Sequence, residues 1–338
     1  MSTGIEWTDE TWNPTTGCDR VSSGCDNCYA LGMAKRLKAM GQPDYQTDGD
    51  PKTSGPGFGL AIHPHRLNLP LRWKKPRKVF VNSMSDLFHA DVTWAHIAQV
   101  FAVMALAPQH TFQILTKRHA RLRSLLSMTN AKRDILLSAQ AMAEVDDIPW
   151  PLPNVWLGVS VEDQQWANIR IPALLDTPAA VRFLSCEPLL GPVDLYGALE
   201  NGHRPKLTYW LTGRPGVNPE NLLELGPKID WVIVGGESGR GARPMHPDWA
   251  RTLRDQCDAA AVAFHFKQFG EWAPDRGHGE SSVKPSVFLL PDGTGTVWAH
   301  RAEAEELVRV GKHAAGRELD GRTWDQYPTA RNLQEVQG

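Results

Sequence analysis

Val155-Trp156-Leu157-Gly158-Val159-Ser160 is followed by a helical stretch from about Gln164 to Leu175, and then by Val181-Arg182-Phe183-Leu184-Ser185-Cys186. Two six-residue apolar runs rich in β-branched and aromatic residues, separated by one helix length, read as a βαβ unit with parallel strands. The cadence continues in both directions. Upstream lie Val79-Phe80-Val81-Asn82-Ser83, a helix from Trp94 to Ala107 stopped by Pro108, and Thr111-Phe112-Gln113-Ile114-Leu115-Thr116 with a helix from about His119 to Met128. Downstream lie Asp230-Trp231-Val232-Ile233-Val234-Gly235, a helix from Pro247 to Ala260, and Val262-Ala263-Phe264-His265-Phe266-Lys267. Alternation of this kind predicts an α/β fold, a partial (β/α) barrel of about six parallel strands.

The ends of these strands favour a barrel over a flat doubly wound sheet. In order they read Asn82-Ser83-Met84-Ser85-Asp86-Leu87-Phe88-His89, Thr116-Lys117-Arg118, Ser160-Val161-Glu162-Asp163, Ser185-Cys186-Glu187-Pro188, Gly235-Gly236-Glu237-Ser238-Gly239 and Lys267-Gln268. In a β/α barrel the chemistry gathers at the C-terminal strand ends, and six polar endings suit that mouth. Asp86 and His89 suit acid/base roles, or Asp86 caps the helix that follows. Cys186 and Glu187 end a strand inside the expected mouth, where Cys186 is either reactive or a packed thiol. Lys117 and Arg118 either bind an anionic group or pair with Glu187 or Glu237. Gly235-Gly236-Glu237-Ser238-Gly239 lacks the Lys-Ser/Thr of a Walker-type phosphate loop.

Ahead of the cadence stands Gly17-Cys18-Asp19-Arg20-Val21-Ser22-Ser23-Gly24-Cys25-Asp26-Asn27-Cys28-Tyr29-Ala30, which holds three of the five cysteines in the spacing C-x6-C-x2-C. Fully extended, Cys18 to Cys25 spans about 25 Å, so the loop must fold back for the sulfurs to share a site. Gly17 and Gly24 are expected to supply left-handed turns. An odd cysteine count in a long chain without a signal-like N-terminus argues against a disulfide framework. Three thiolates at Cys18, Cys25 and Cys28 can hold three irons of a [4Fe–4S] cluster with the fourth open. Zinc is the alternative, since C-x2-C is also a zinc half-site, but no second C-x2-C or H-x3-H follows.

A helix from Tyr29 to Met40, ended by Gly41, follows the cysteines. Residues 42–60 read as a long loop, either a lid or an insertion. The expected division is a cysteine loop plus partial barrel over 1–269, with insertions near 42–75, 129–153 and 191–229, and a C-terminal extension over 270–338. A short strand is expected at Leu207 to Leu211. The extension is expected to hold a hairpin (Val287 to Leu290 with Thr296 to Ala299) and a helix from Ala302 to Val310.

With 338 residues the chain can bury on the order of three-quarters of its unfolded surface. Lys and Arg number 36 against 38 Asp and Glu, so no global field draws nucleic acid or anionic lipid, and nucleic-acid binding would need a local patch. No run of eighteen apolar residues indicates a membrane span. A cytoplasmic, reducing location is expected, which suits thiolate ligands.

The chain resembles the phage Gp37/Gp68-like, DUF5131-type proteins, a three-Cys-motif family. The resemblance covers nearly the whole length. It rests on the Trp12-Asn13-Pro14 entry with Gly17-Cys18 and on the cysteines ending in Cys28-Tyr29-Ala30. Ser83 to His89, Leu115 to Arg118, Ser185 to Pro192 and Val234 to Gly239 add to it, as do Phe266 to Trp272 and Gly311 to Arg322. That family is similar to radical SAM enzymes in placing three cysteines before a β/α partial barrel. Here the first gap is six residues, where most radical SAM enzymes have three. The resemblance implies a [4Fe–4S] cluster on Cys18, Cys25 and Cys28 whose open iron chelates S-adenosylmethionine. Reductive cleavage would give a 5′-deoxyadenosyl radical that acts on an unknown substrate. It further implies that Lys117 or Arg118 meets the methionyl carboxylate, Ser160 and Glu162 the ribose hydroxyls, and Gly235, Gly236 and Glu237 the adenosyl group. A three-Cys-motif partner protein is the implied partner.

Overall fold

The computed structural model describes residues 4–196, 209–213, 215–217, 223–275, 285–296 and 304–329. Its main sheet has seven parallel strands: β1 (Glu10–Trp12), β2 (Lys78–Val81), β3 (Thr111–Thr116), β4 (Val155–Ser160), β5 (Val181–Cys186), β6 (Trp231–Gly235) and β7 (Ala263–Gln268). They lie side by side in chain order, from β1 to β7. A doubly wound sheet reverses its strand order at a switch point; this one never does, and its order is that of a partial β/α barrel. Every residue of β4, β5 and β6 is buried, as parallel strands covered on both faces require.

The helices are α1 (Tyr29–Ala39), α2 (Trp94–Ala105), α3 (His119–Leu126), α4 (Ala131–Gln140), α5 (Gln164–Leu175) and α6 (Pro247–Ala259). The apolar, largely buried α2 begins at Thr93, whose side chain accepts a hydrogen bond from the His96 N–H. That N-cap satisfies one of the four backbone donors a helix start leaves open.

By its internal contacts the chain forms two compact units, Met1–Val159 with Pro172–Arg182, and Ser160–Ile171 with Phe183–Gly338. In the first, β1 pairs with β2 from Glu10↔Val79 to Trp12↔Val81. It is the seventh strand, one more than the cadence predicts, because three residues show no periodicity. Its Trp12 is almost wholly buried, and the indole N–H donates to the Arg66 carbonyl at 2.8 Å. In the second unit β6 pairs with β7, with a register irregularity at Gly235.

Four further strands, β8 (Trp272–Pro274), β9 (Ser286–Leu289), β10 (Gly295–Thr296) and β11 (Glu305–Arg309), form an antiparallel sheet in the order β8-β11-β9-β10. The hairpin expected near 287–299 is β9 with β10, paired Phe288↔Thr296; residues 297–299 lie outside the described residues. The helix expected over Ala302–Val310 is instead strand β11, apart from Ala302 and Glu303, which are not described. Glu305-Glu306-Leu307-Val308-Arg309 carries helix-forming residues, but pairing with β8 and β9 buries Leu307 fully. Tertiary pairing overrides local propensity here. Of the strand expected at Leu207 to Leu211, the first two residues lie outside the described ones, and Tyr209 to Leu211 form a turn. Among the described residues no helix is long and apolar enough to cross a membrane.

Candidate functional site

The cysteine loop is shaped by a few obligatory contacts within the first unit. Gly17 has φ +88°, and a Cβ there would stand 2.1 Å from the Gly59 carbonyl oxygen, so only glycine fits. Its N–H donates to the Met84 carbonyl at 2.9 Å. Gly24 lies in a 3₁₀ turn over Ser23–Cys25 and has no positive φ, so the expected left-handed turn there is not made. Reversal comes instead from successive turns: the Cys25 N–H donates to the Ser22 carbonyl at 2.9 Å and the Cys28 N–H to the Cys25 carbonyl at 3.3 Å. Tight i→i+3 turns bring Cys25 and Cys28 onto one short segment. Cys28 is the N-cap residue of α1.

Residues 42–60 are packed against this loop. The Cys18 N–H donates to the Phe58 carbonyl and the Arg20 N–H to the Thr53 carbonyl, and the Thr53 hydroxyl donates to Asp19 Oδ1 at 2.6 Å. Ala30, Ala34, Tyr45, Phe58 and Met84 form a small apolar cluster, with Cys18 and Cys28 set against it. All three thiols are free and partly exposed. Burial, then the nearby Asp86 carboxylate, pushes the Cys18 thiol up to about 12, against the pull of the Arg118 guanidinium hydrogen-bonded to it. Burial also raises Cys28, opposed by the backbone N–H of Ala30, the Lys117 ammonium and the backbone N–H of Leu31.

The end of β3 meets the loop through one carboxylate. Asp86 accepts from the Thr116 hydroxyl at 2.7 Å, the Phe88 N–H at 3.0 Å and the Lys117 N–H at 3.1 Å. Asp86 is therefore a brace between the β2 and β3 ends, and Lys117 and Arg118 leave that brace facing the thiols. Arg118 also donates to the Asp19 carbonyl at 3.4 Å. His89 is buried, with Nε2 2.8 Å from Asp19 Oδ2 and Nδ1 accepting from the Asp91 N–H at 3.3 Å. These contacts select the tautomer whose Nε2–H donates to Asp19. Hydrogen bonding from Thr53, and then from His89, holds the Asp19 carboxyl below its usual range despite partial burial. The structure thus brings together Cys18, Cys25, Cys28, Asp86, His89, Lys117 and Arg118. It adds Asp19 and Thr116, which the sequence reading quoted without giving them a role.

In the second unit, Glu162 pairs with Arg170 at 2.7 Å, and neither side chain is exposed. Arg170 also donates to the Ser160 carbonyl at 2.8 Å and stacks on Trp166, its Cζ 3.9 Å from the ring centroid. Ser160 is buried beside them. Cys186 is fully buried, and burial, then Cys257 and Glu162, raises its thiol well above the ordinary range. Glu187 takes the Lys267 ammonium at 2.5 Å. Glu237 receives the Arg243 guanidinium at both oxygens, 2.7 and 2.9 Å, with the Arg243 N–H at 2.8 Å. A Cβ on Gly236 would meet the Phe269 carbonyl oxygen at 1.9 Å, and one on Gly235 would touch Glu187 at 3.4 Å. Gly236 is a glycine because another backbone strand lies against it. Arg170 and Arg243 were not singled out from sequence, and Lys267 was quoted only as a polar strand end. Arg170 and Arg243 each lie six to eight residues beyond their carboxylate, an interval that only the fold closes.

A family model for a protein of unknown function, DUF5131, matches residues 2–328. The chain belongs to the DUF5131 family. No curated protein and no solved structure matches it. Cys18, Cys25 and Cys28, three free thiols on one reversed loop with Lys117 and Arg118 bearing on them, are the residues that could hold a metal or cluster. The two cations would offset the negative charge of the thiolates that such a group requires.

Proposed function

We propose that this DUF5131 protein is an iron–sulfur enzyme of the radical SAM kind, akin to the phage Gp37/Gp68-like proteins, with a [4Fe–4S] cluster on Cys18, Cys25 and Cys28. The observation that carries the reading is the cysteine loop set against the Lys117-Arg118 end of β3, beside a sheet whose strand order is that of a partial barrel. When bound, the cluster and S-adenosylmethionine supply one-electron reductive cleavage and hydrogen-atom abstraction from a substrate.

The residues of the chain have definable tasks in this reading. Cys18 is held as a thiol by its buried surroundings, so loading releases protons and is favoured at higher pH. Arg118 and Lys117 compensate the thiolates, and in this reading one of them meets the carboxylate of S-adenosylmethionine. Asp86 keeps both cations aimed by fixing the backbone from which they project. Asp19 and His89 hold the loop between Cys18 and the β2 end.

The donor set favours iron–sulfur over zinc. Three thiolates suffice for three irons of a cubane, whereas a tetrahedral zinc site needs a fourth ligand and no second C-x2-C or H-x3-H follows.

Anaerobically purified, iron-supplemented protein is expected to be brown, with about four irons and four sulfides per chain. Under dithionite it should convert S-adenosylmethionine to 5′-deoxyadenosine, and Cys28→Ala should lose cluster and turnover together. Stoichiometric zinc at the thiols with no cleavage would overturn the reading.

A further inference from the structure

Beside the cysteine loop, Thr15–Thr16 pairs antiparallel with Ala61–Ile62, and His63 follows directly, its N–H donating to the Pro14 carbonyl at 2.8 Å. His65 sits on the next helical turn, Pro64–Leu67, and Asp44 on the turn Pro43–Tyr45. One ligating atom from each of Asp44, His63 and His65 lies within 4.8 Å of the others. Asp44 Oδ1 is 3.2 Å from His63 Nδ1, and Oδ2 is 3.5 Å from His65 Nε2. A tetrahedral ion with bonds of about 2.0 Å to nitrogen and oxygen sets its ligands about 3.3 Å apart.

The contacts around His63 leave its Nδ1 turned to Asp44. The Thr16 hydroxyl lies 2.8 Å from His63 Nε2 and 3.3 Å from the Asp44 carbonyl. When the hydroxyl donates to that carbonyl, it accepts from Nε2–H, and Nδ1 presents its lone pair toward Asp44 Oδ1, 3.2 Å away, in position to share a metal ion with it. A metal-bound histidine whose other ring nitrogen is held by a neighbouring side chain is the usual outer-sphere arrangement. Arg66 also bonds Asp44 Oδ2 and holds the carboxylate toward the two imidazoles.

We infer that Asp44, His63 and His65 form a mononuclear site for a divalent first-row transition ion of the zinc type. The donor set is two imidazoles and one carboxylate, with a further position open to water, the pattern of an accessible metal rather than a closed structural one.

Cobalt(II) is the probe, titrated into the full-length, iron-free chain. The expected result is one equivalent showing visible d–d absorption without thiolate-to-cobalt charge transfer. That component should fall at least tenfold in affinity in His65→Asn, an exposed substitution, and persist in Cys25→Ser. A wild-type chain whose bound cobalt is entirely thiolate-ligated, or a folded His65→Asn chain binding as wild type, would overturn the inference. Should His65→Asn fail to fold, X-ray absorption of the wild-type chain with two zinc ions decides. Light scatterers alone at about 2.0 Å around one zinc support the site, and sulfur at about 2.3 Å around both refutes it.

Discussion

Replacing Asp86 tests the central piece of this architecture. Its carboxylate takes two backbone donors, the Phe88 and Lys117 N–H groups, and the Thr116 hydroxyl, in a nearly water-free setting (6 % exposed). In Asp86→Ala the hydroxyl can turn elsewhere, but the two N–H groups are fixed by the chain. Each orphaned buried donor costs about 1–3 kcal/mol, so the variant should lose about 2–6 kcal/mol. Asp86→Asn keeps one acceptor oxygen and turns its NH2 toward the other backbone N–H, because the Phe88 and Lys117 donors use different oxygens. With one donor orphaned, a loss of about 1–3 kcal/mol is expected. Removing the carboxylate also removes one of the influences that raise the Cys18 thiol, so Cys18 in Asp86→Asn should alkylate faster at a given alkaline pH. Urea unfolding followed by tryptophan fluorescence reads the stability, as a lower midpoint at unchanged slope. An Asp86→Ala chain within 1 kcal/mol of wild type would show that the brace between the β2 and β3 ends is not a structural one.

Gly17→Ala places a methyl 2.1 Å from a carbonyl oxygen at φ +88°; the left-handed conformation alone costs about 1–2 kcal/mol. Thermal unfolding should show a loss at least that large, and iron retention should fall with it. Glu162→Gln leaves Arg170 buried without its counter-charge and should cost about 3–5 kcal/mol, whereas Glu162→Leu with Arg170→Met should recover most of it; equal losses in the two chains would contradict the pairing. His246 caps α6, its Nδ1 accepting from the Asp248 N–H at 3.1 Å. Burial lowers its pKa, opposed by Asp248 and assisted by Arg251. The folded chain therefore holds the ring neutral where the unfolded chain takes up a proton. Stability from this group is complete above about pH 6.5 and is lost as pH falls through the window below it. His246→Asn keeps a capping side chain without a titrating ring and should flatten the acid limb of melting temperature against pH between 7 and 5.

The parallel sheet was legible because its strands are buried on both faces, so that Val155–Ser160, Val181–Cys186 and Trp231–Gly235 are written as largely apolar runs, with Arg182 the one charge among them. A pattern of that kind survives without knowledge of what packs on it. Two elements escaped for opposite reasons. Glu10–Trp12 is too short to have a period, and its strand character comes from lying along Val79–Val81. Glu305–Arg309 has a composition suited to a helix, but its alternation is satisfied only when strands at 272–274 and 286–289 stand on either side. In both cases the deciding free energy is a pairing between segments distant in the chain.

The candidate site divides along the same line. Cys18, Cys25 and Cys28 announce themselves by spacing, three thiols within eleven residues among Asp, Asn, Ser and Gly rather than apolar neighbours. What surrounds them cannot be counted off the chain. Asp86 looked like an acid, a base or a helix cap, yet its bonds run to Thr116 and Lys117, thirty residues on. Glu162, which the resemblance sets against ribose hydroxyls, is paired with Arg170, one helical stretch later. The residues 42–60 read as a lid or insertion, and they supply Thr53 to Asp19 and Phe58 to Cys18. A carboxylate at a strand end has two uses, toward a ligand or toward its own scaffold, and residue type does not distinguish them. Partner distance does, and within the first unit it leaves the cations Lys117 and Arg118 bearing on the thiols, with the Asp86 carboxylate committed to bracing the backbone that carries them. Any chemistry supported on Cys18, Cys25 and Cys28 is therefore to be sought first in substitutions of that pair.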